Sequence, residues 1–541
     1  MKETEEIVEQ DLDFLPLSTS ATIVEGNALR MDWSTLETEI KNDFVFADRL
    51  NVYKIDEKSV VHSVREPEVP YNAHYTELNV VTPEITEKEF PEKDKKSVIY
   101  DYIIGNPPFV GYAYQTKEQK EDLHLISKDI ANNIDYVSGW YFKAAQFIKN
   151  AQTRCAFVST NSITQGEQVS VLWKSLFEKY NLHIDFAWRT FKWANETSDK
   201  SNMAAVHCVV IGFSVAENTK QKIIFLNQQD NIKAENINGY LLDAPNIFID
   251  KNVKPLCNVP LMIRGSSPVD DGNFLLTSGE KDDYLKKEPQ GEKFLRPFMM
   301  GKDFIDRRQR WCFWLAGADP SELRKCPILM KRIGNVRTYR LKSTKAATVQ
   351  RAEMPTLFGE MRPCESDYIA IPKVSSEQRR YIPIDYLKAE VLAGDKLFQM
   401  PHATLYHFGV LTSSVHMAWM RTVCGRLEMR YSYSNTIVYN NFPWPEVLLE
   451  GGELARRKMH ASRVRSDIEH TAQAILDARA KYPDSSLADL YDETTMPPEL
   501  RKAHKENDKA VMQAYGFNQK MSESEIVAEL FKMYEKLTEK K

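Results

Sequence analysis

Asp101-Tyr102-Ile103-Ile104-Gly105-Asn106-Pro107-Pro108-Phe109 is an apolar run of strand character that ends in a carboxamide, two prolines and an aromatic ring. Proline holds φ near about −65° and pushes the residue before it toward extended backbone, so the carbonyls of such a tip keep a fixed direction. The exocyclic amine of adenine is a poor nucleophile because its lone pair is delocalised into the ring. Two acceptors on that NH2, here the Asn106 carboxamide oxygen and the Pro107 carbonyl, draw the pair out as charge develops during methyl transfer. Phe109 offers a face on which an extruded base stacks, a contact worth roughly 1–3 kcal/mol in single-strand binders. The bland alternative is a rigid turn closing a strand. The buried-type strand before the prolines and the ring directly after them favour chemistry.

Outward from this tip the chain alternates. Ala21 to Leu29 reads as a short strand ending in a turn at Gly26-Asn27, and a charged, Pro-containing insertion follows from about 56 to 96. The tip strand itself reads as Val98 to Ile104. Tyr136, Trp140, Ala144, Phe147 and Ile148 recur at helical spacing and predict a helix over 133–150. Strands are expected at Arg154–Ser159, Leu182–Trp188, Ala204–Phe213 and Lys222–Leu226, with a helix through Leu172 and Leu176 to Tyr180. This order predicts a mostly parallel α/β sheet with an antiparallel edge. Ligands of such sheets sit at the carboxyl ends of strands, where Gly26-Asn27, Asn106 to Phe109 and Thr160-Asn161 fall.

A chain of 541 residues exceeds one ordinary core, and 43% hydrophobic with 27% charged residues is a globular composition. No apolar stretch of about 18 residues suggests a membrane helix, and Met1 to Asp13 lacks the basic and apolar regions of a signal peptide. The seven cysteines form no Cys-x-x-Cys pair, which argues against a zinc site and a disulfide framework. A reducing cytoplasm is the expected location, and no metal is expected. Residues 261–440 carry 28 Lys plus Arg against 20 Asp plus Glu, a net of +8, so the remainder of this −5 chain sums to −13. A basic block of this kind is the electrostatic footprint expected for phosphate.

From about Cys257 the texture changes. Gly265-Ser266-Ser267-Pro268 and Asp270-Asp271-Gly272 read as a linker, and a basic, aromatic-rich region follows. Arg307, Arg308 and Arg310 lead into Trp311-Cys312-Phe313-Trp314, with Lys331, Arg332, Arg337, Arg340, Lys342 and Lys345 behind. Basic side chains interleaved with rings and turns suit a surface along a nucleic-acid groove, so these are DNA-binding candidates. From Gly451 the chain turns helical, up to a break at Pro497-Pro498.

With these pieces in order the chain resembles the adenine-specific DNA methyltransferases, and within them the MmeI-like (type IIL) restriction-modification enzymes. The resemblance rests on residues 101–111, on Phe157-Val158-Ser159-Thr160-Asn161-Ser162-Ile163 and on Phe191-Lys192-Trp193-Ala194-Asn195-Glu196. It continues through Arg296-Pro297-Phe298, Arg380-Tyr381-Ile382-Pro383, Asn441-Phe442-Pro443-Trp444-Pro445, Gln473 to Arg479 and Met496-Pro497-Pro498-Glu499-Leu500. It implies an α/β fold: a partial Rossmann-like class I methyltransferase sheet over 1–260, an α+β target-recognition domain over 261–445 and a helical C-terminal segment over 446–541. It further implies S-adenosylmethionine as cofactor, duplex DNA as partner, and a catalytic tip of Asn106, Pro107, Pro108 and Phe109. Phe191 falls where a second aromatic contacts the far face of the base, with Trp193 the competing choice. Asn27 and Asp101 fall on the cofactor side.

One departure stands out. The family's Gly-rich cofactor loop, of the Asp-Pro-Ala-Cys-Gly-x-Gly type, is not found before Gly26-Asn27, and neither is an N-terminal nuclease domain. The expectation is therefore the C-terminal part of a longer enzyme, from a split gene, a truncation or a start called late, and in the first case a separate N-terminal polypeptide supplies the cofactor loop. A non-catalytic DNA-binding specificity subunit or decayed remnant is the rival reading. Methylation of a protein glutamine or an RNA guanine amine is another, since similar tips serve those amines.

Overall fold

The structure is a computed structural model that describes residues 26–34, 100–126, 133–149, 151–193, 206–215, 221–445 and 454–539, with side chains from 462 onward in the last range. The strand proposed for 21–25, the insertion at 56–96 and residues 98–99 of the tip strand lie outside the described residues. Gly26 to Ser34 is a set of turns, and its Leu29 and Trp33 are buried.

Six strands form the first sheet: β1 (Tyr102–Gly105), β2 (Arg154–Thr160), β3 (His183–Trp193), β4 (Val206–Ser214), β5 (Lys222–Phe225) and β6 (Asn231–Ala234). Their order is β1-β2-β4-β3-β5-β6. Between β1 and β2 lie helices α1 (Lys117–Ile126) and α2 (Ser138–Phe147), and α3 (Gly166–Tyr180) joins β2 to β3. The pairings β1·β2 and β3·β5 are parallel, whereas β2·β4, β3·β4 and β5·β6 are antiparallel. The sheet is thus mixed rather than mostly parallel, and the reversed β4 lies inside it rather than at an edge. The crossover through α3 leaves a gap between β2 and β3, and β4 returns from β3 to fill it. Its Cys208, Val209, Ile211 and Phe213 are wholly buried.

Helices α2 and α3 cover one face of this sheet. The Tyr141 ring meets Phe157 at 5.3 Å, Phe213 at 5.2 Å and Trp173 at 5.5 Å, centroid to centroid, so one aromatic cluster joins both helices to both central strands. The helix expected over 133–150 begins later, at Ser138. The backbone N–H groups of Asp135 and Tyr136 bind Gln168 Oε1 and the Val110 carbonyl instead, which holds 133–137 in turns.

The region after residue 257 is built from short strands in three small sheets. One holds Leu392–Ala393, Leu295–Met299, Arg310–Phe313 and Leu275–Thr277, and the next holds Asp385–Leu387, Tyr368–Pro372, Leu397–Pro401 and Ile263–Arg264. The third holds Val374–Ser375, Arg430–Ser432 and Gly425–Leu427. Helices α4 (Ser278–Lys287), α5 (Pro327–Leu341), α6 (Leu405–Leu411) and α7 (Ser414–Val423) pack among them. The stretch 265–272 is not a linker. A Cβ on Gly265 would sit 2.3 Å from the Gly394 carbonyl oxygen, so glycine here permits two backbones to touch.

Helices α8 (Leu454–Ala480), α9 (Pro498–Tyr515) and α10 (Glu523–Glu539) close the fold. One continuous apolar core runs from Leu29 and the first sheet through Trp419, Phe442 and Trp444 to Leu530 and Phe531. A second, smaller core centres on Phe274, Phe298, Phe313 and Phe358. Among the described residues no helix is long and apolar enough to cross a membrane.

Three buried histidines tie stability to pH. Burial pushes His416 down to about 3 and His407 down to about 4, and holds His504 well below its ordinary value. The unfolded chain takes protons near pH 6.5 that these folded rings refuse, so their contribution is full above that pH and is lost as pH falls toward the folded values. Burial raises the carboxyls of Asp270 and Asp508, which act in the opposite sense, two groups against three. Thermal melting at pH 7.5 and pH 5 should show a fall of several degrees in acid; an unchanged or higher midpoint would contradict the assignment of neutral buried rings.

Candidate functional site

β1 ends where two prolines remove consecutive N–H donors from its ladder. Asn106 is exposed, Pro107 is buried, and Pro108 and Phe109 are half-buried. Gly105 pairs in register with Phe157, so the tip emerges beside the last residues of β2.

A buried carboxylate fixes the tip loop. Asp135 Oδ1 accepts from the Tyr112 N–H at 3.0 Å, and its Oδ2 accepts from the Ser162 hydroxyl, which also contacts Thr160 Oγ1 at 2.7 Å. The Tyr136 N–H donates to the Val110 carbonyl at 2.9 Å, and Gln115 Nε2 donates to the Ile134 carbonyl at 2.8 Å. Residues 106–112 are therefore held at their far end to the end of β2 and, through Gln168, to the first turn of α3. Asp135 was not among the candidates read from sequence. Its only local signal is an acid in Asn133-Ile134-Asp135-Tyr136, at the head of a stretch patterned as a helix.

Phe191, the residue expected from the sequence as the second aromatic, lies across the sheet from the tip. Thr160 pairs with Cys208 and Cys208 with Phe191, which sets Phe191 level with the end of β2. From β1 to β3 is three strand spacings, roughly 14 Å. A register shift between Trp188 and Phe191 marks a bulge, a device that re-aims side chains beside binding sites. Phe191 is half-buried and 6.2 Å from Trp193, which is 41% exposed, while Trp188 stacks on Phe225.

Asn27 serves a second acid-centred network. Its Nδ2 donates to Asp122 Oδ2 at 2.8 Å and its Oδ1 accepts from the Leu29 N–H at 3.0 Å. Asp122 also accepts from Arg30 Nε at 2.5 Å and from the Tyr136 hydroxyl at 2.6 Å. Burial opposes ionisation of Asp122, but the bonds from Tyr136, Arg30 and Asn27 outweigh it and hold the carboxyl below its usual range. Both ends of the Asn27 carboxamide are thus engaged within the fold. Asp101 is exposed, and its carbonyl accepts from the Arg154 N–H at 3.0 Å.

The basic candidates divide sharply. Arg340 is fully buried and donates to the carbonyls of Pro268, Val269, Arg351, Met354 and Leu357 at 2.7 to 3.1 Å. Reading it as a phosphate contact is incorrect, because its guanidinium is closed inside the recognition region as a brace. Arg307 donates to the carbonyls of Tyr482, Pro483 and Ser485, Arg308 pairs with Asp306 at 3.2 Å and Arg310 with Asp303 at 2.9 Å. Arg332 donates to the Asn273 carbonyl at 2.8 Å. Lys331 and Arg337 project from α5 into solvent.

An Asn-Pro-Pro-Phe tip at the carboxyl end of a parallel strand, a reversed strand inside the sheet, short recognition sheets and a helical close define a methyltransferase-type domain joined to a target-recognition domain. Residues 1–226 match the family described as MmeI, DNA-methyltransferase domain, residues 243–446 match MmeI, target recognition domain, and residues 461–540 match MmeI, C-terminal domain. The chain belongs to the MmeI family, as its motifs indicated. The protein named DNA methyltransferase A from Bacillus subtilis (strain 168) is 34% identical over 487 residues, which is 89% of this chain and 53% of that protein. A solved structure of the type IIL restriction-modification enzyme MmeI in complex with DNA matches with a TM-score of 0.74 at 44% identity, covering 81% of this chain and 57% of that one. The chain spans little more than half the length of these relatives.

Three substitutions separate anchors from exposed groups. Asp135→Ala leaves the Tyr112 N–H without its acceptor and should cost about 1–3 kcal/mol, with faster hydrogen exchange at the Tyr112 and Tyr136 amides. Exchange as slow as in the wild type would show that the tip is held by other means. Arg340→Met should lower the melting midpoint markedly while Arg337→Met leaves it unchanged; equal effects would contradict the division drawn above.

Proposed function

We propose that this chain carries the amine-binding and target-recognition parts of a site-specific DNA methyltransferase of a restriction-modification system, acting on the N6 amine of adenine in duplex DNA. The observation that carries the reading is the braced Asn106-Pro107-Pro108-Phe109 tip at the carboxyl end of β1. A base inside a duplex cannot reach such a tip, so the target adenine leaves the stack at a cost of a few kcal/mol. Asn106 Oδ1 and the Pro107 carbonyl accept from its NH2, Phe109 stacks on one face, and Phe191, with Trp193 beside it, closes the other. Bound S-adenosylmethionine supplies an electrophilic methyl group. The N6 proton is released to water once the nitrogen is alkylated.

The tip stands at the carboxyl end of β1, the end at which such sheets take their ligands, whereas Asp101 precedes β1 at its amino end, and no Gly-rich loop is among the described residues. On the outer edge of β1 no strand pairs among the described residues, and Tyr102 and Ile104 are 67% and 57% exposed. We propose that this edge receives the cofactor-binding half as a separate N-terminal polypeptide. The rival reading, a specificity module without catalysis, draws on the same open edge.

Transfer of labelled methyl from S-adenosylmethionine to duplex DNA tests this, with the chain alone and with the N-terminal part of the Bacillus subtilis relative added. Incorporation at N6 of adenine that vanishes in Asn106→Ala, with DNA binding retained, is the expected result. Incorporation that survives the substitution would contradict the assignment of the tip. DNA binding with no transfer in either condition would favour the specificity module.

A further inference from the structure

The bulge between Trp188 and Phe191 places Arg189 and Thr190 at the wall of an open cleft of about 360 Å³. Three parts of the chain meet there. Gln165 and Arg189 come from the first sheet and its helix, Arg421 and Arg426 from the recognition region, and Glu523 from the start of α10. Three guanidinium groups face one carboxylate, a local charge of +2.

The carboxylate is already committed, since Arg421 Nη1 contacts Glu523 at 2.8 Å. Arg426 is steered by the Met429 carbonyl at 3.0 Å and lies 4.4 Å over the Tyr431 ring. Arg189 is the group left over. Its Nε donates to the Leu241 carbonyl at 3.1 Å, its buried Nη2 has no partner, and among the described residues no carboxylate pairs with it. Burial pulls its pKa down, and Glu523 is the charge that opposes this. A partly desolvated guanidinium whose nearest carboxylate is already paired with Arg421 is costly, and an anion relieves that cost.

The start of α3 forms part of the same wall. α3 has no side-chain cap at Gln165, which lines the cleft, its first residue, Gly166, adopts φ +57°, and Glu167 is the acid of its first turn. A Cβ on Gly166 would lie 3.2 Å from the Gly425 Cα, so the helix start and the recognition strand of Arg426 are in backbone contact.

We infer that this cleft is a phosphodiester site in which Arg189, Arg421 and Arg426 together hold one backbone phosphate of the DNA flanking the extruded base. The assignment rests on the DNA reading above and deepens it. An open cleft, two residues from Phe191 and walled by both catalytic and recognition regions, suits a polymer backbone rather than an enclosed small anion. A phosphate there touches both regions at once, so seating the recognition region on DNA also registers the strand against the tip.

The test is the salt dependence of binding to an arbitrary labelled duplex by the full chain and by Arg189→Gln and Arg189→Lys. Each phosphate contact contributes about 0.9 to the slope of log K against log salt. Arg189→Gln should lower the slope by about that amount, so that between 50 and 200 mM salt it loses roughly 3.5-fold less affinity than the wild type; Arg189→Lys should keep the wild-type slope. If Arg189→Gln fails to melt cooperatively, Arg421→Gln carries the same comparison from the recognition side. An unchanged slope in the glutamine variant would overturn the site while leaving the DNA reading intact. A melting midpoint raised by inorganic phosphate and abolished by Arg189→Gln, with the DNA slope unchanged, would overturn the backbone assignment in favour of a free anion. No duplex binding by the wild type would overturn both readings.

Discussion

The site depends on one carboxylate. Asp135 holds the far end of the Asn106 loop by the Tyr112 N–H and holds the end of β2 by the Ser162 hydroxyl. Two prolines stiffen the tip locally, but stiffness alone does not aim it. The aim comes from a chain of contacts that runs from the loop through Asp135 to β2 and, through Gln168, to the first turn of α3. For the proposed role of the tip this matters, because a preorganised acceptor pair has nothing to reorganise when charge develops on a bound amine.

The same logic distributes the arginines. Buried or paired guanidinium groups hold loops together: Arg340 braces five carbonyls of the recognition region, Arg479 ties Tyr491 to the Ile384 carbonyl, and Arg307 clamps the 482–485 turn. The net +8 of the recognition region is therefore not all available to phosphate. Where basic groups converge without sufficient acid, at the seam between the first sheet and the recognition strands, the charge has a reason to face outward.

Much of this was legible in the amino-acid order because it is local. Strand runs such as Arg154 to Ser159, the helix ending at Tyr180 and the Asn-Pro-Pro-Phe tip follow from periodicity and proline geometry within a few residues. What was missed depends on contacts between distant parts of the chain. The position of β4 inside the sheet is set by pairing with β2 as well as with β3, the role of Gly265 by the Gly394 backbone, and the burial of Arg340 by carbonyls up to 72 residues away. Asp135 looked like the start of a helix because its partner, Tyr112, lies 23 residues upstream.

The central claim is that the braced tip receives an adenine amine of DNA. The most direct measurement is to map modified bases across the genome of a host lacking adenine methylation, after expressing this chain with the N-terminal part of its Bacillus subtilis relative. The account predicts N6-methyladenine at one recurring DNA sequence. Methylated cytosine at that sequence, or methyl groups found on RNA or on protein glutamine while the DNA stays unmarked, would contradict it.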